Sequence, residues 1–284
     1  MWPGKFEYVR ASSIDEAVKL LNENNNAKLL AGGHSLIPAM KFRLSEPGLL
    51  IDISRIDSLK SIKANGSLEV GPLATHAKIA ASSDVQAYCA ALASAAGEIG
   101  DQQVRNFGTI GGNIAHADPA SDHPTVLVAA DATIHMHGSG GARSENASDF
   151  FTGLFETTLG ADEIITKIDV PNLNGKRTAY AKMSHPASRY ALVGVCVVLE
   201  MDGNTCSAAS VAIGGATIKA TRSSVSESAL SGTSLSASDL DAAADALMGD
   251  FDDDLWMGDV IYPANYRRAM AGVFLKKAVA AARG

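Results

Sequence analysis

QVRNFGTIGGNIAHADPASDHP, Gln103 to Pro124, is the stretch on which the reading of this chain turns. It lies in a longer segment, Gly100 to Asp122, so dense in Gly, Asn, Asp and Pro that mostly loop is expected there. Inside it, Thr109-Ile110-Gly111-Gly112-Asn113 sets a Gly-Gly pair between two side chains able to hydrogen-bond. A second pair stands in Lys28-Leu29-Leu30-Ala31-Gly32-Gly33-His34-Ser35-Leu36, directly after a short apolar run. Glycine lets the backbone approach a ligand closely, and successive exposed N–H groups make an anion-binding concavity. Ser35 adds a hydroxyl donor. Neither loop is Gly-x-Gly-x-x-Gly and neither runs into Gly-Lys-Ser, so the Rossmann fingerprint and the P-loop are excluded. One Gly-Gly turn is more often plain structure than site. Two, each beside hydroxyl or amide groups, point to one extended anionic ligand gripped from two sides.

The composition favours backbone donors over a basic patch for that task. Lys plus Arg number 24 and Asp plus Glu 31, a formal charge of −7, which does not suit sequence-independent binding to nucleic-acid backbones. Aromatic residues are 6% and nowhere interleave with a basic stripe, which argues against single-stranded nucleic acid. With 46% hydrophobic and 19% charged residues over 284 positions, the chain reads as globular, one large domain or two smaller ones. The longest apolar run, Ala191 to Leu199, falls far short of the roughly 20 residues that span a bilayer. The N-terminus, MWPGKFEYVR, lacks the apolar stretch of a signal peptide, so a cytoplasmic location is expected. Cys89, Cys196 and Cys206 are odd in number and show no Cys-x-x-Cys spacing. They read as small apolar residues in a reducing compartment rather than as a disulfide framework.

Outward from the two loops, local signals divide the chain. Phe6 to Val9 is a strand, Ser12 to Glu16 caps a helix with an apolar face at Ala17, Val18, Leu20 and Leu21, and Lys28 to Ala31 is a buried strand, together a β-α-β unit. Leu49 to Ile53 is a strand, and a turn at Asn65-Gly66 introduces another at Leu68 to Gly71. His76 to Ser82, Val85 to Ile99 and Pro124 to Ala130 read as helices, and Ala132 to His137 and Ile164 to Val170 as strands. A boundary is placed after Pro171. Beyond it come three strands, Thr178 to Met183, Ala191 to Met201 and Cys206 to Ile213, the last two joined at Asp202-Gly203-Asn204. Ser223 to Ser238 reads as surface loop with a helical turn. Ser238 to Met248 and Pro263 to Ala282 read as helices. The expected class is α+β: a first domain of residues 1–171, then a smaller domain, 172–284, with an antiparallel sheet and terminal helices.

Other residues carry weaker signals. His116, Asp118, Asp122 and His123 crowd one short loop and could be read as a metal site. The stiffness of its prolines favours structural histidines, with Asp122 as acceptor for a ribose hydroxyl or a base. His135 and His137 share a strand face and read as a solvated edge. Lys182 and Tyr190 flank the start of the second domain, where a lysine could reach a ligand and a tyrosine could stack on a planar ring. Neither a Gly-x-Ser-x-Gly nor a His-Glu-x-x-His motif is present.

Taken together, AGGHSL at Ala31 to Leu36, VGPLATHAKIA at Val70 to Ala80, Gln103 to Pro124, and the C-terminal NYRRAMAGVFLKKAVA resemble the FAD-binding medium subunit of bacterial molybdenum hydroxylases. That group includes aerobic carbon monoxide dehydrogenase medium subunits and the flavin domain of xanthine dehydrogenase. The resemblance spans nearly the whole chain. It implies a vanillyl-alcohol-oxidase or PCMH-type FAD-binding domain of two subdomains, about 1–55 and 56–171, then a C-terminal domain with a three-stranded antiparallel sheet and helices. By position it implies that Lys28 to Leu36 and Thr109 to Asn113 hold the FAD pyrophosphate, that Asp122 binds the adenosine ribose, and that Ile99 and Gly100 line the adenine or ribose side. It also implies that Ile165 packs near the flavin ring system, Lys182 lies near its polar edge, and Tyr190 covers one face.

The same resemblance implies partners: a small subunit with two 2Fe–2S clusters and a large molybdopterin subunit, as a dimer of heterotrimers, cytoplasmic or held at the inner membrane face through partners. Electrons would pass from molybdenum through the clusters to FAD and on to an acceptor. Three scattered cysteines set the chain apart from the hydroxybenzoyl-CoA reductase branch, whose corresponding subunit carries a further iron–sulfur cluster. The sequence departs from many relatives at Met183-Ser184-His185, where Arg or Gln is frequent, and at Phe107, where Arg is frequent. Both departures bear on acceptor and substrate class more than on FAD. A standalone flavoprotein oxidoreductase of the same fold and a flavin-free scaffold remain the alternatives.

Overall fold

The structure is a computed structural model and describes residues 2–283. Its first layer is a three-stranded parallel sheet. Strand β1 (Glu7–Arg10) leads into helix α1 (Ile14–Glu23), strand β2 (Ala27–Leu30), helix α2 (Leu36–Lys41) and strand β3 (Leu49–Asp52). The order is β1-β3-β2, so the β-α-β unit exists but β3 is inserted between its strands. The α1 signals act as read: the Ser13 side chain accepts from the Glu16 N–H, and Ala17, Val18 and Leu21 are buried.

The second sheet is antiparallel, with order β4-β5-β10-β6-β7. It comprises β4 (Ile62–Asn65), β5 (Ser67–Val70), β6 (Thr133–Gly138), β7 (Gly141–Asn146) and β10 (Ile164–Val170). Gly66 turns the β4–β5 hairpin at φ +74°. Helix α9 (Ala147–Phe150) and a small hairpin of β8 (Phe151–Gly153) and β9 (Glu156–Thr157) precede β10. His135 and His137 lie on β6, between β10 and β7, so the expected sheet edge is an interior strand with one half-buried face.

Between β5 and β6 run six helices: α3 (His76–Ala81), α4 (Ser83–Tyr88), α5 (Ala90–Glu98), α6 (Gln102–Phe107), α7 (Ile110–His116) and α8 (Asp122–Ala129). Two expectations are corrected here. The helix expected over Val85 to Ile99 breaks at Cys89, whose backbone turns to φ −155°, ψ 83°. The expected loop from Gly100 to Asp122 holds helices α6 and α7. Their caps were in the sequence: Asp101 accepts from the Val104 N–H, and Thr109 from the Gly112 N–H. The glycines masked them. Gly111 lies in the first turn of α7, where a side chain would collide with Pro72, so packing rather than loop freedom demands it.

The C-terminal sheet runs β11 (Arg177–Ser184), β12 (Ala191–Asp202), β13 (Thr205–Gly214) and β14 (Thr221–Arg222), antiparallel in that order. It has four strands rather than three, because a two-residue strand pairs Arg222 and Thr221 with Ala212 and Ile213 and is too short to leave a pattern. The apolar run 191–199 is explained by burial on both faces of β12. Val193, Val195 and Val197 face α11 (Ala237–Gly249) and α12 (Ala264–Arg283), while Cys196 and Val198 join the core that holds α5 and α8. The serine-rich segment contains helix α10 (Ser224–Leu230) rather than surface loop. Ser223 caps it, and the Ser226 hydroxyl donates to the Ala243 carbonyl at 3.0 Å, so both serines are buried by bonding inward.

Candidate FAD site

The first glycine loop joins β2 to α2. The backbone N–H groups of Gly32, Gly33, His34, Ser35 and Leu36 have no acceptor among the described residues. Five consecutive unpaired donors at the start of a helix make a concavity that favours an anion. Its shape is held by Gly33 at φ +74° and by the His34 Nδ1 contact to the Gly32 carbonyl at 3.0 Å. The Ser35 hydroxyl caps nothing and stays available.

The second glycine loop abuts the first. A Cβ on Gly32 would overlap the Phe107 carbonyl oxygen and lie 3.0 Å from the Gly108 Cα. The His34 and Phe107 rings stack with centroids 5.8 Å apart. The second loop contributes differently from the expectation of free donors. Ile110 donates to the Ala74 carbonyl (3.1 Å), Gly111 to Pro72 (2.8 Å) and Gly112 to the Thr109 hydroxyl (3.2 Å). What remains is the Thr109 N–H, which has no acceptor among the described residues, and the buried Asn113 Oδ1, which has no partner among them while its Nδ2 holds Ser121. The first loop thus supplies donors, and the second supplies mainly shape.

Asp122 and Lys182 are engaged with each other. Lys182 Nζ sits 2.9 Å from the Asp122 carboxylate, with side-chain exposures of 0% and 5%. The Tyr180 hydroxyl donates to the same carboxylate at 2.6 Å. Burial pushes the Asp122 carboxyl above its usual range, and Lys182 and Tyr180 pull it back. Asp122, expected at the ribose, and Lys182, expected near the polar edge of the flavin, are thus paired with each other inside the protein, so any contact either makes to a ligand is made from within that pair. Lys182 also reaches the Glu98 carbonyl at 3.4 Å, which ties β11 to the end of α5. Ile99 and Gly100 follow directly and are half-buried, their carbonyls both accepting from Arg105 Nη1 at 3.0 Å. Ile165 is 5% exposed and spent on the core of the second sheet, not on an open face. Lys28 is exposed on β2, where Leu29 and Leu30 are half-buried.

Tyr190 behaves as a surface ring near the site. It is 44% exposed at the end of the turn between β11 and β12, and the next residue, Ala191, donates its N–H to the Ala120 carbonyl at 3.1 Å. That bond docks the turn on the Asp118–Asp122 loop. Partial burial raises the Tyr190 hydroxyl, and Asp118 and Asp122 raise it further. His116 is exposed and packs on Phe155, and His123 is buried against His76. No cluster of three His, Cys, Asp or Glu side chains among the described residues could hold a metal ion.

The model of the FAD binding domain in molybdopterin dehydrogenase matches residues 4–173, and that of the CO dehydrogenase flavoprotein C-terminal domain matches 178–282. The chain belongs to this family. It is 40% identical over 287 residues to the carbon monoxide dehydrogenase medium chain of Hydrogenophaga pseudoflava, covering 99% of this chain and 98% of the relative. It is 42% identical over 216 residues to the glyceraldehyde dehydrogenase medium chain of Sulfolobus acidocaldarius, covering 76% and 77%. A solved structure of the Hydrogenophaga pseudoflava carbon monoxide dehydrogenase contains a chain that superposes with a TM-score of 0.95 at 39% identity, covering 100% of this chain and 99% of that one.

Family membership makes the chain the FAD-binding subunit of an oxidoreductase, and the residues present fit that cofactor. The unpaired N–H groups of residues 32–36 suit a pyrophosphate in a protein of net negative charge. The missing Cβ of Gly32 lets the two loops close on each other. Sequence reasoning missed that Gly111 serves packing, and it missed the His76–His123 contact. Both depend on residues distant in sequence.

Proposed function

We propose that this chain is the electron-transfer subunit of a heterotrimeric molybdenum hydroxylase. It takes electrons from 2Fe–2S clusters of a small partner subunit and delivers them through FAD to an external acceptor. The observation that carries the reading is the row of five unpaired N–H groups from Gly32 to Leu36 closed against Phe107 and Gly108. When bound, FAD supplies the ability to exchange electrons singly with one-electron carriers and in pairs with a two-electron acceptor.

The chain's own residues bind, orient and shield. The first loop would hold the pyrophosphate by N–H donation and the Ser35 hydroxyl. Tyr190, with an exposed ring on a docked turn, would cover one ring face. Lys182 and Asp122 would act from beneath, fixing β11 to α8 and setting the local field, rather than by open contact. Clusters are assigned to a partner because the three cysteines of this sequence fall short of the four thiolates such a cluster requires, and all three are buried. A large molybdopterin subunit and a dimer of heterotrimers complete the reading, with the division at residues 171 and 172 and a cytoplasmic site of action. No helix among the described residues is long and apolar enough to cross a membrane.

The test is the visible absorption spectrum of the purified chain, before and after FAD. A stoichiometric flavin band that bleaches with dithionite, and capture of iron–sulfur and molybdenum subunits on the tagged chain from its native host, are expected. Failure to take up FAD in the chain and in any captured complex overturns the reading.

A further inference from the structure

His76, the first residue of α3, and His123, the second residue of α8, are 3% and 0% exposed. They are 47 residues apart, yet His76 Nδ1 lies 3.0 Å from His123 Nε2, with ring centroids 5.0 Å apart. The titratable and charged groups facing them are His34 and Arg105 for His76, and Lys182 for His123. No carboxylate is among them. Burial, then these neighbours, hold His76 down to about 4 and push His123 well below its ordinary value, so both rings are neutral.

The unpartnered atom fixes the direction of their bond. His123 Nδ1 is buried without a partner among the described residues. Were His76 Nδ1–H the donor, the His123 proton would sit on that enclosed nitrogen, and an orphaned buried donor costs more than an orphaned lone pair. His123 Nε2–H therefore donates to His76 Nδ1, and the His76 proton rests on Nε2, the ring edge that faces Gly108.

That edge lies flush against the second glycine loop. A Cβ on Gly108 would be 2.7 Å from His76 Nε2 and 2.8 Å from Cδ2, and the His76 backbone N–H donates to the Gly108 carbonyl at 3.0 Å. Gly108 also meets Gly32 of the first loop. A line of contact thus runs from the buried helix α8 through His123, His76 and Gly108 to Gly32. We propose that the His76–His123 pair sets the spacing between the two glycine loops, which makes His76 a positioning residue of the FAD pyrophosphate cradle. The proposal rests on the FAD reading above.

The test uses the full chain and three probes: FAD, ADP, which has the pyrophosphate without the flavin, and riboflavin, which has the flavin without phosphate. Two double variants both carry His123→Leu, so that no ring nitrogen is left unpaired in the core. His76→Ala with His123→Leu loses the spacer and is expected to weaken FAD and ADP by about tenfold or more, with riboflavin changed less than about twofold. His76→Phe with His123→Leu keeps a flat ring against Gly108 and is expected to bind FAD and ADP within about threefold of the parent. In the parent, 15N NMR is expected to show both rings neutral and protonated at Nε2. Unchanged ADP affinity in the alanine variant, equal losses of all three probes, or loss of ADP binding in a folded phenylalanine variant would each overturn the proposal. A parent chain that binds neither FAD nor ADP overturns the FAD reading instead.

Discussion

Gly32→Ala isolates the closure of the two loops. The added Cβ would overlap the Phe107 carbonyl oxygen and lie 2.8 Å from its carbonyl carbon. Both are backbone atoms, so no side chain can swing away. Relaxed carbon–carbon contact begins near 3.5 Å, so the loops must part by about 0.7 Å or more. An N–H···O bond of about 2.9 Å stretched by that amount leaves hydrogen-bonding range. A hydrogen bond to a charged group is worth about 1.5–3 kcal/mol, so losing one weakens FAD on the order of 10- to 100-fold. Quenching of flavin fluorescence on titration measures this, with ADP as the second ligand. Gly140→Ala is the control, because its Cβ would meet nothing within 4 Å. It should bind both ligands as the parent does. A Gly32→Ala chain with parental affinity for FAD and ADP would refute the reasoning, since the contact that closes the cradle would then be irrelevant to what the cradle holds.

Three further outcomes are expected. Lys182→Met should cost about 3–5 kcal/mol in urea unfolding by leaving Asp122 buried without its counter-charge, and adding Asp122→Leu should recover much of that loss; a single variant as stable as the parent contradicts the buried pair. Stability should fall with acid in a window set by His76, whose folded value near 4 lies below its unfolded 6.5. The unfolded chain takes up more protons in that window, so the contribution is complete above about 6.5 and is lost as pH falls toward about 4, amounting to about 3 kcal/mol. The His76→Phe, His123→Leu double variant should flatten that slope in pH-dependent melting, and an unchanged slope would place the titrating group elsewhere. Tyr190→Ala should weaken riboflavin and FAD but not ADP, while Tyr190→Phe should leave all three near parental values; equal loss of ADP would mean the tyrosine supports the loop rather than the ring.

Residues read correctly in the sequence were those whose reasons are local. Ser13 before an apolar helical face needs only its own turn, and Asn65-Gly66 needs only a hairpin that accepts a positive φ. The run from Ala191 to Leu199 announces a strand, though not that both its faces are buried or by which helices. Gly32-Gly33 after an apolar run, and Thr109 before Gly111-Gly112, mark by residue type and spacing the two segments proposed here to hold the pyrophosphate.

Other features were illegible because their causes lie far along the chain. The glycines between Gly100 and Asp122 looked like loop, but Gly111 is there because Pro72 occupies its side-chain space, and capped helices run on either side of Gly108. Asp122 read as an acceptor, but nothing near it in the sequence announced that β11 brings Lys182 and Tyr180 to it from about 60 residues away.

By itself, then, the sequence determined the α+β class, most strands and helices, and the Gly32-Gly33 stretch as one able to meet an anion, since capping, periodicity and glycine chemistry act over a few residues. Tertiary structure alone decided which donors stay unpaired, which charges neutralise one another and which rings meet. Burial assigns those roles, and burial is a property of the packed molecule rather than of any segment in it.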